Sequence, residues 1–238
     1  MRRTSLNTPR YTPAKTIIVA FGGSIVHPDA IDTAFLKKFR LFIYKSLTKG
    51  FSFVIVIGGG KLARNFQMAA AGVTKVSDED KDWIGIHSTR LHAHLLRTIF
   101  RDVADHVVVD ERHKIKKLSH RITIASGWRP GWSTDFVAAA LAHDFGVDTF
   151  IVAGKPAYVY TADPSKNKNA RSLKEISWSA YRKLIPKEWS PGSHAPVDPI
   201  AARFAQKNNL KAIIVNGKDL KNFERLLLGK TFEGTIIE

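Results

Sequence analysis

Two stretches of this chain join an apolar run to a glycine turn. Residues Phe53 to Arg64, FVIVIGGGKLAR, deliver five apolar residues into Gly58, Gly59 and Gly60, and then open a helical pattern carrying Lys61 and Arg64. Glycine puts no Cβ between a ligand and the backbone, and the unpaired N–H groups of a following helix face an anion. Two cations beside such a turn suit phosphate better than an apolar ligand, whereas the bland alternative is a plain tight turn. The device recurs at Thr16 to Phe21, which ends in Gly22, Gly23 and Ser24. Two such turns imply two phosphate-bearing ligands, or two ends of one.

Ser126 to Asp135, SGWRPGWSTD, lies between a strand-like run and an alanine-rich helical one. Gly127, Pro130 and Gly131 can wrap a ligand, Trp128 and Trp132 can cover a ring, and Ser133 and Thr134 can donate hydrogen bonds while capping the helix. The same residues read equally well as a rigid capped loop with its tryptophans packed on the protein. Asp82, Asp135, Asp163 and Asp198 each fall near a helix start or loop, where a carboxylate caps a helix, holds a ribose hydroxyl, orients a lysine or binds Mg²⁺. Taken singly, each is expected to cap. His87, His92 and His94 do not have the i,i+4 spacing of a zinc-binding histidine pair, so no protein-held metal site is expected. Gly58 to Ala63 fits the relaxed G-x-G-x-x-A dinucleotide pattern, but no strand ending in an acid follows about 20 residues on. The Walker pattern also fails around Lys61.

The 238 residues, 44% of them hydrophobic, suffice for one sizeable α/β domain. With no cysteine there can be no disulfide, thiolate metal site or cysteine nucleophile. The formal charge of +16 attracts polyanions, but the lysines and arginines are spread along the chain, and a nucleic-acid partner is not expected. Residues 1–14, basic and holding two prolines, read as a flexible tail. No apolar run reaches the roughly 20 residues of a membrane span, and Gly22 and Gly23 interrupt the run that resembles a signal peptide. A cytoplasmic location is expected.

The periodicity predicts a strand at Thr16–Phe21, a helix over Asp32–Thr48 closed by Gly50, and a strand before Gly58. Helices follow after Gly60 and over Asp80–Asp105, then strands at His106–Val109 and Ile122–Ala125. Beyond them come a helix at Thr134–Phe145, a strand at Thr149–Val152 and a hairpin arm at Tyr158–Tyr160. The last elements are a helix at Pro199–Asn208, a strand at Lys211–Val215, a helix at Leu220–Leu228 and a strand at Thr235–Ile237. Alternation of this kind makes an α/β sheet covered by helices, with ligands at the carboxyl ends of its strands. Two lobes are expected within one domain spanning 15–238, about 15–145 and about 146–238, meeting near residue 146.

In order and spacing, FGGSIV, VIGGGKLAR, KDWIGI with the following Thr89-Arg90-Leu91, GWRPGWSTDFVAAALA, VYTADPSKNKNA, APVDPIAARFA and the final EGTII resemble the amino-acid-kinase family, in its branch of archaeal-type uridylate (UMP) kinases. They cover almost everything from residue 16 onward. The resemblance implies a three-layer αβα sandwich with a mainly parallel central sheet, the first lobe binding the monophosphate and the second ATP. The implied activity is ATP-dependent phosphorylation of UMP to UDP in pyrimidine nucleotide biosynthesis, with Mg²⁺ accompanying ATP and a homo-oligomer, a hexamer in this branch. It assigns UMP to Gly59, Asp82 and the loop Gly127, Trp128, Arg129, Pro130, Gly131, Trp132, Ser133 and Thr134. ATP phosphates fall to Gly23, Ser24, Gly60 and Arg64, and the nucleoside end to Gly154, Lys155, Tyr160 and Asp163. Lys61, Arg64, Asp135 and Asp198 are the implied catalytic residues. The chain departs from the family where Ala20 stands in place of a bacterial lysine, with Lys61 the nearest replacement, and where GKPAYVYTADP brings Gly154, Ala157 and Tyr158 to the ATP side. Those departures raise the alternative of a catalytically weakened relative that binds nucleotide or oxyanions for storage or regulation.

Overall fold

The structure, a computed structural model, describes residues 11, 14–189 and 195–238, so the tail expected over 1–14 lies outside the described residues except at 11 and 14. Strands β1 (Thr16–Phe21) and β2 (Ser52–Ile57) are buried along nearly their whole length, as apolar runs must be when helices cover both faces of a parallel sheet. Between them lie α1 (Gly23–Val26) and α2 (Thr33–Thr48); α3 (Gly60–Ala71) and α4 (Asp78–Ile99) follow β2. The first half is completed by β3 (Ala104–Val109), β4 (Ile122–Ala125) and α5 (Thr134–Asp144). After β5 (Thr149–Gly154), the short strands β6 (Val159–Tyr160), β7 (Ser172–Leu173) and β8 (Glu175–Ile176) lead into α6 (Trp178–Leu184) and α7 (Pro199–Lys207), and the chain ends with β9 (Lys211–Asn216), α8 (Leu220–Leu227) and β10 (Thr235–Ile237).

One eight-stranded sheet has the order β3-β4-β2-β1-β5-β9-β10-β8, and only the β9–β10 pairing is antiparallel. The sheet runs unbroken across residue 146, because β1 pairs with both β2 and β5. Alternate residues divide the core. Ile17, Val19 and Phe21 face α2, α4 and α8, where Phe21 meets Phe39 at 4.8 Å between ring centroids. Ile18 and Ala20 face α5, α6 and α7. The alanines of α5 (138–140 and 142) and of α7 (201, 202 and 205) are fully buried, and their small side chains bring these two helices close to each other and to the sheet.

Two expectations need correcting. The long helix ends at Ile99 rather than near Asp105: Phe100 is fully buried and its carbonyl accepts from the N–H groups of Val103 and Ala104, so the chain turns into β3 two residues earlier than the periodicity suggested. The segment 172–184, for which the periodicity predicted no element, holds β7, β8 and α6, anchored by the buried Trp178 and Tyr181. The hairpin arm near Tyr158–Tyr160 is present, Val159 and Tyr160 pairing antiparallel with Leu173 and Ser172.

Register decides where the turns meet. Phe21 pairs with Ile57 on one side and Ala153 on the other, so Gly22 and Gly58, which leave the sheet, and Gly154, the last residue of β5, line up along one edge. A Cβ on Gly23 would lie 2.2 Å from the Gly58 oxygen, and one on Gly60, whose φ is +59°, 2.4 Å from the Gly23 carbonyl carbon. Gly146 also has a positive φ (+66°), yet a Cβ there meets nothing within 4 Å. In urea unfolding, Gly146→Ala should therefore cost only the roughly 1–2 kcal/mol of a left-handed residue. Gly23→Ala should exceed the roughly 0.5–3 kcal/mol of ordinary substitutions; equal midpoints for the two variants would mean that the turns are not in contact.

Candidate active site

The glycine turns present two helix N-termini to one edge of the sheet. Neither Gly59 before α3 nor Gly22 before α1 supplies a side-chain cap, and neither first turn holds an acid, so the N–H groups there face outward without an anionic partner from their own helix. Arg64, one turn into α3, donates from Nη2 to Ser24 Oγ at 3.0 Å and so bridges the two turns. Lys61 is ion-paired with Asp29, whose carboxyl it holds below the usual range. A phosphate that recruits Lys61 must compete with that carboxylate.

A cleft of about 180 Å³ lies between Gly59–Gly60, the facing sides of α3 and α4, and the loop 127–134. Ser77 caps α4, its hydroxyl accepting from the Asp80 N–H at 3.1 Å, which frees Asp82 from that duty. Asp82 Oδ2 instead accepts from the Gly131 N–H at 2.7 Å and from the Trp189 indole at 3.5 Å. At the other end of the loop, Thr89 Oγ1 accepts from the Gly127 N–H at 2.8 Å. A Cβ on Gly127 would crowd that hydroxyl at 3.2 Å and the Ile86 side chain at 3.3 Å.

The two loop tryptophans have different roles. Trp128 is buried and its indole donates to the Val109 carbonyl at 3.2 Å, the packed arrangement of the two that its loop allows, and it does not line this cleft. Trp132 lines the cleft, its ring 4.6 Å from that of Phe136 and capped by the Arg129 guanidinium at 3.8 Å. Arg129, Ser133 and Thr134 line the cleft with it, while Pro130 does not.

Below this loop two carboxyls meet at the starts of α5 and α7. Ser133 caps α5 by accepting from the Phe136 N–H at 3.0 Å and donates its hydroxyl to Asp198 Oδ2. Asp198, 3% exposed, caps α7 through Oδ1, which accepts from the N–H groups of Ile200 (2.8 Å) and Ala201 (3.1 Å). The Tyr181 hydroxyl fixes the preceding residue, donating to the Val197 carbonyl and accepting from its N–H, both at 2.7 Å. Asp135, in the first turn of α5, is pushed well above the usual carboxylate range by burial and then by the charge of Asp198. Burial also raises Asp198, against the bonds from Ser133 and the two N–H groups. Among the described residues, no group of three acidic or histidine side chains is arranged to hold a metal ion.

Farther along the same edge, Gly154 adjoins the first turn, its Cα 3.5 Å from where a Gly22 Cβ would sit, and its own Cβ position is open. Lys155 is exposed, and Tyr160 sits edge-on to Tyr158 with ring centroids 6.3 Å apart. Asp163 is turned back on its own loop, accepting from the N–H and hydroxyl of Ser165 at 2.9 and 2.7 Å. Gly23, Ser24, Gly59, Gly60, Arg64, Asp82 and the 127–134 loop are thus brought together, whereas Asp163 is held in its own turn. Gln67, Thr89 and Trp189 also line the cleft and were not singled out from sequence. Thr89 lay inside a recognised motif, but nothing local marked its partner.

The sequence profile of the amino acid kinase family matches residues 15–216. The chain belongs to that family. A uridylate kinase of Thermococcus sibiricus is 33% identical over 225 residues, covering 93% of this chain and 99% of the relative. One from Pyrococcus abyssi is 34% identical over 226 residues, again covering 93% and 99%. Among solved structures, the uridylate kinase from Archaeoglobus fulgidus superposes with a TM-score of 0.79 at 28% identity, covering 94% of this chain and 100% of the other. The UMP kinase from Bacillus anthracis gives 0.74 at 19%, with 95% and 96% covered, a likeness of fold.

Within this amino-acid-kinase fold the Asp135–Asp198 pair should mark the free protein's pH response. A carboxyl whose folded pKa lies above its unfolded value favours folding while protonated, so this contribution grows as pH falls through the folded value and is lost above it. Asp135→Asn mimics the neutral form at every pH. Its melting temperature should exceed that of the wild type by more at pH 8 than at pH 5, as read by calorimetry; a pH-independent difference would mean that the Asp135 carboxyl is not held above its ordinary range.

Proposed function

We propose that this protein is a uridylate kinase, moving the γ-phosphoryl group of ATP to UMP to give UDP and ADP. The observation that carries the reading is the abutment of the two glycine turns, bridged by Arg64 and Ser24, which allows two phosphate groups to meet at one edge of the sheet. Phosphoryl transfer needs little covalent help from protein; it needs in-line positioning and cations or N–H groups where charge spreads over the migrating oxygens. The start of α3 supplies the N–H groups, Arg64 grips phosphate, and Lys61, released from Asp29, supplies a mobile charge that Ala20 cannot. Asp82 holds the loop through one oxygen, which leaves Oδ1 as acceptor for a ribose hydroxyl, while Trp132 offers an aromatic face to the base. Gly154, Lys155 and Tyr160 border the donor's nucleoside end.

Mg²⁺ enters with ATP. The oxygen donors of Asp135 and Asp198 suit a hard cation, whose charge would offset the repulsion between them, and phosphate oxygens would complete the coordination. No helix among the described residues is long and apolar enough to cross a membrane, and the proposed setting is cytoplasmic pyrimidine nucleotide biosynthesis. We take the assembly to be a homo-oligomer, a hexamer; the exposed Phe66, Trp83 and Leu91 bordering an apolar groove of about 500 Å³ between α3 and α4 support it.

A coupled ADP-release assay across UMP, CMP, AMP and GMP should show strong preference for UMP. UMP binding without ADP release would replace the enzyme by a nucleotide-binding relative. Lys61→Ala should lower kcat by about 10²-fold with little change in KM for UMP, since its charge acts mainly in the transition state. Arg64→Ala should also raise KM. Near-normal turnover in Lys61→Ala would leave its pairing with Asp29 as its whole role.

A further inference from the structure

α4 touches the site at one more residue that the proposed chemistry leaves unused. His92 is 1% exposed; its Nδ1 lies 2.9 Å from the Gly58 carbonyl oxygen and its Nε2 3.2 Å from Nδ1 of His27. A carbonyl only accepts, so His92 Nδ1 carries the hydrogen. Burial holds this ring's pKa below the usual histidine range, so it is neutral and its Nε2 accepts. His27 then donates from Nδ1, and the donors run in one direction, from His27 to His92 to Gly58.

Both ends of this chain grip a phosphate turn. The backbone N–H of His27, at the end of α1, donates to the Gly23 carbonyl at 2.8 Å, so His27 is fixed to the first turn. The Gly58 carbonyl shares a peptide with the Gly59 N–H, which stands at the start of α3 and borders the cleft. A bond accepted by a carbonyl polarises its amide and strengthens the N–H as a donor. The charged neighbours on this side are Asp29 and Lys61, already paired with each other.

We propose that His27 and His92 are a positioning pair for the phosphoryl transfer: they hold the Gly22–Ser24 and Gly58–Gly60 turns at one spacing and sharpen the Gly59 N–H toward phosphate. This rests on the nucleotide-kinase reading. The test compares His92→Leu, which fills the volume and donates nothing, with His92→Asn, whose amide N–H stands near the Nδ1 position. In the full-length enzyme, His92→Leu should raise KM for both UMP and ATP about tenfold, the scale of one lost hydrogen bond, and lower kcat; His92→Asn should recover most of the KM loss. Should His92→Leu fail to fold, the half-buried outer ring carries the same comparison in His27→Leu against His27→Asn. A folded Leu variant with wild-type constants, or an Asn variant as impaired as Leu, overturns the proposal. If the wild type releases no ADP, the kinase reading fails, and calorimetric affinities for UMP and ATP take the place of KM with the same expected order. A wild type that binds neither nucleotide overturns both.

Discussion

The contact between the backbones of Gly23 and Gly58–Gly60 is the constraint on which the rest of the structure depends. Parallel strands lie roughly 4.8 Å apart, and the turns that leave two such neighbours collide unless side chains are absent. With the first contact only 2.2 Å from an imagined Cβ, no residue but glycine serves at Gly23. Once the turns touch, the starts of α1 and α3 point to the same side, Arg64 reaches Ser24, and two anions can share one edge. The register of β1 with β2 and β5 is therefore a functional feature as well as a structural one.

Helix α4 supports that edge. Asp82, Thr89 and His92, spaced by seven and three residues, fall on one face and bind Gly131, Gly127 and Gly58 in turn. Two glycine-bearing segments, the 127–134 loop at both its ends and the Gly58–Gly60 turn, are thereby indexed to one rigid element, which is how a site made of loops keeps its geometry. The histidines divide accordingly, His92 buried against the turn and His87 and His94 exposed.

The paired carboxyls at the starts of α5 and α7 illustrate a different balance. Asp198 is engaged on both oxygens, capping a helix and receiving the Ser133 hydroxyl, while Asp135 is half-buried beside it at a cost to its ionised form. Two neighbouring carboxyls repel each other wherever both are ionised, so the pair carries an electrostatic cost that its hydrogen bonds offset only in part.

Much of the fold was legible in the chain. Uniformly apolar runs identified the central strands, the 3.6-residue spacing identified α2, and the glycine runs marked the turns after β1 and β2, because each is a local property that survives whatever surrounds it. Helix caps were also readable in kind, Asp198 before Pro199 being the plainest. What the sequence could not decide was pairing. Trp128 and Trp132 are four residues apart in one loop, yet one is core and the other lines the cleft. Asp82 turned out to hold a loop rather than cap its helix, and His92 to hold a turn; their partners are 49 and 34 residues away. Composition and periodicity fix which segments fold and which face is buried, while the orientation of a polar side chain depends on the donor or acceptor that the tertiary structure brings to it.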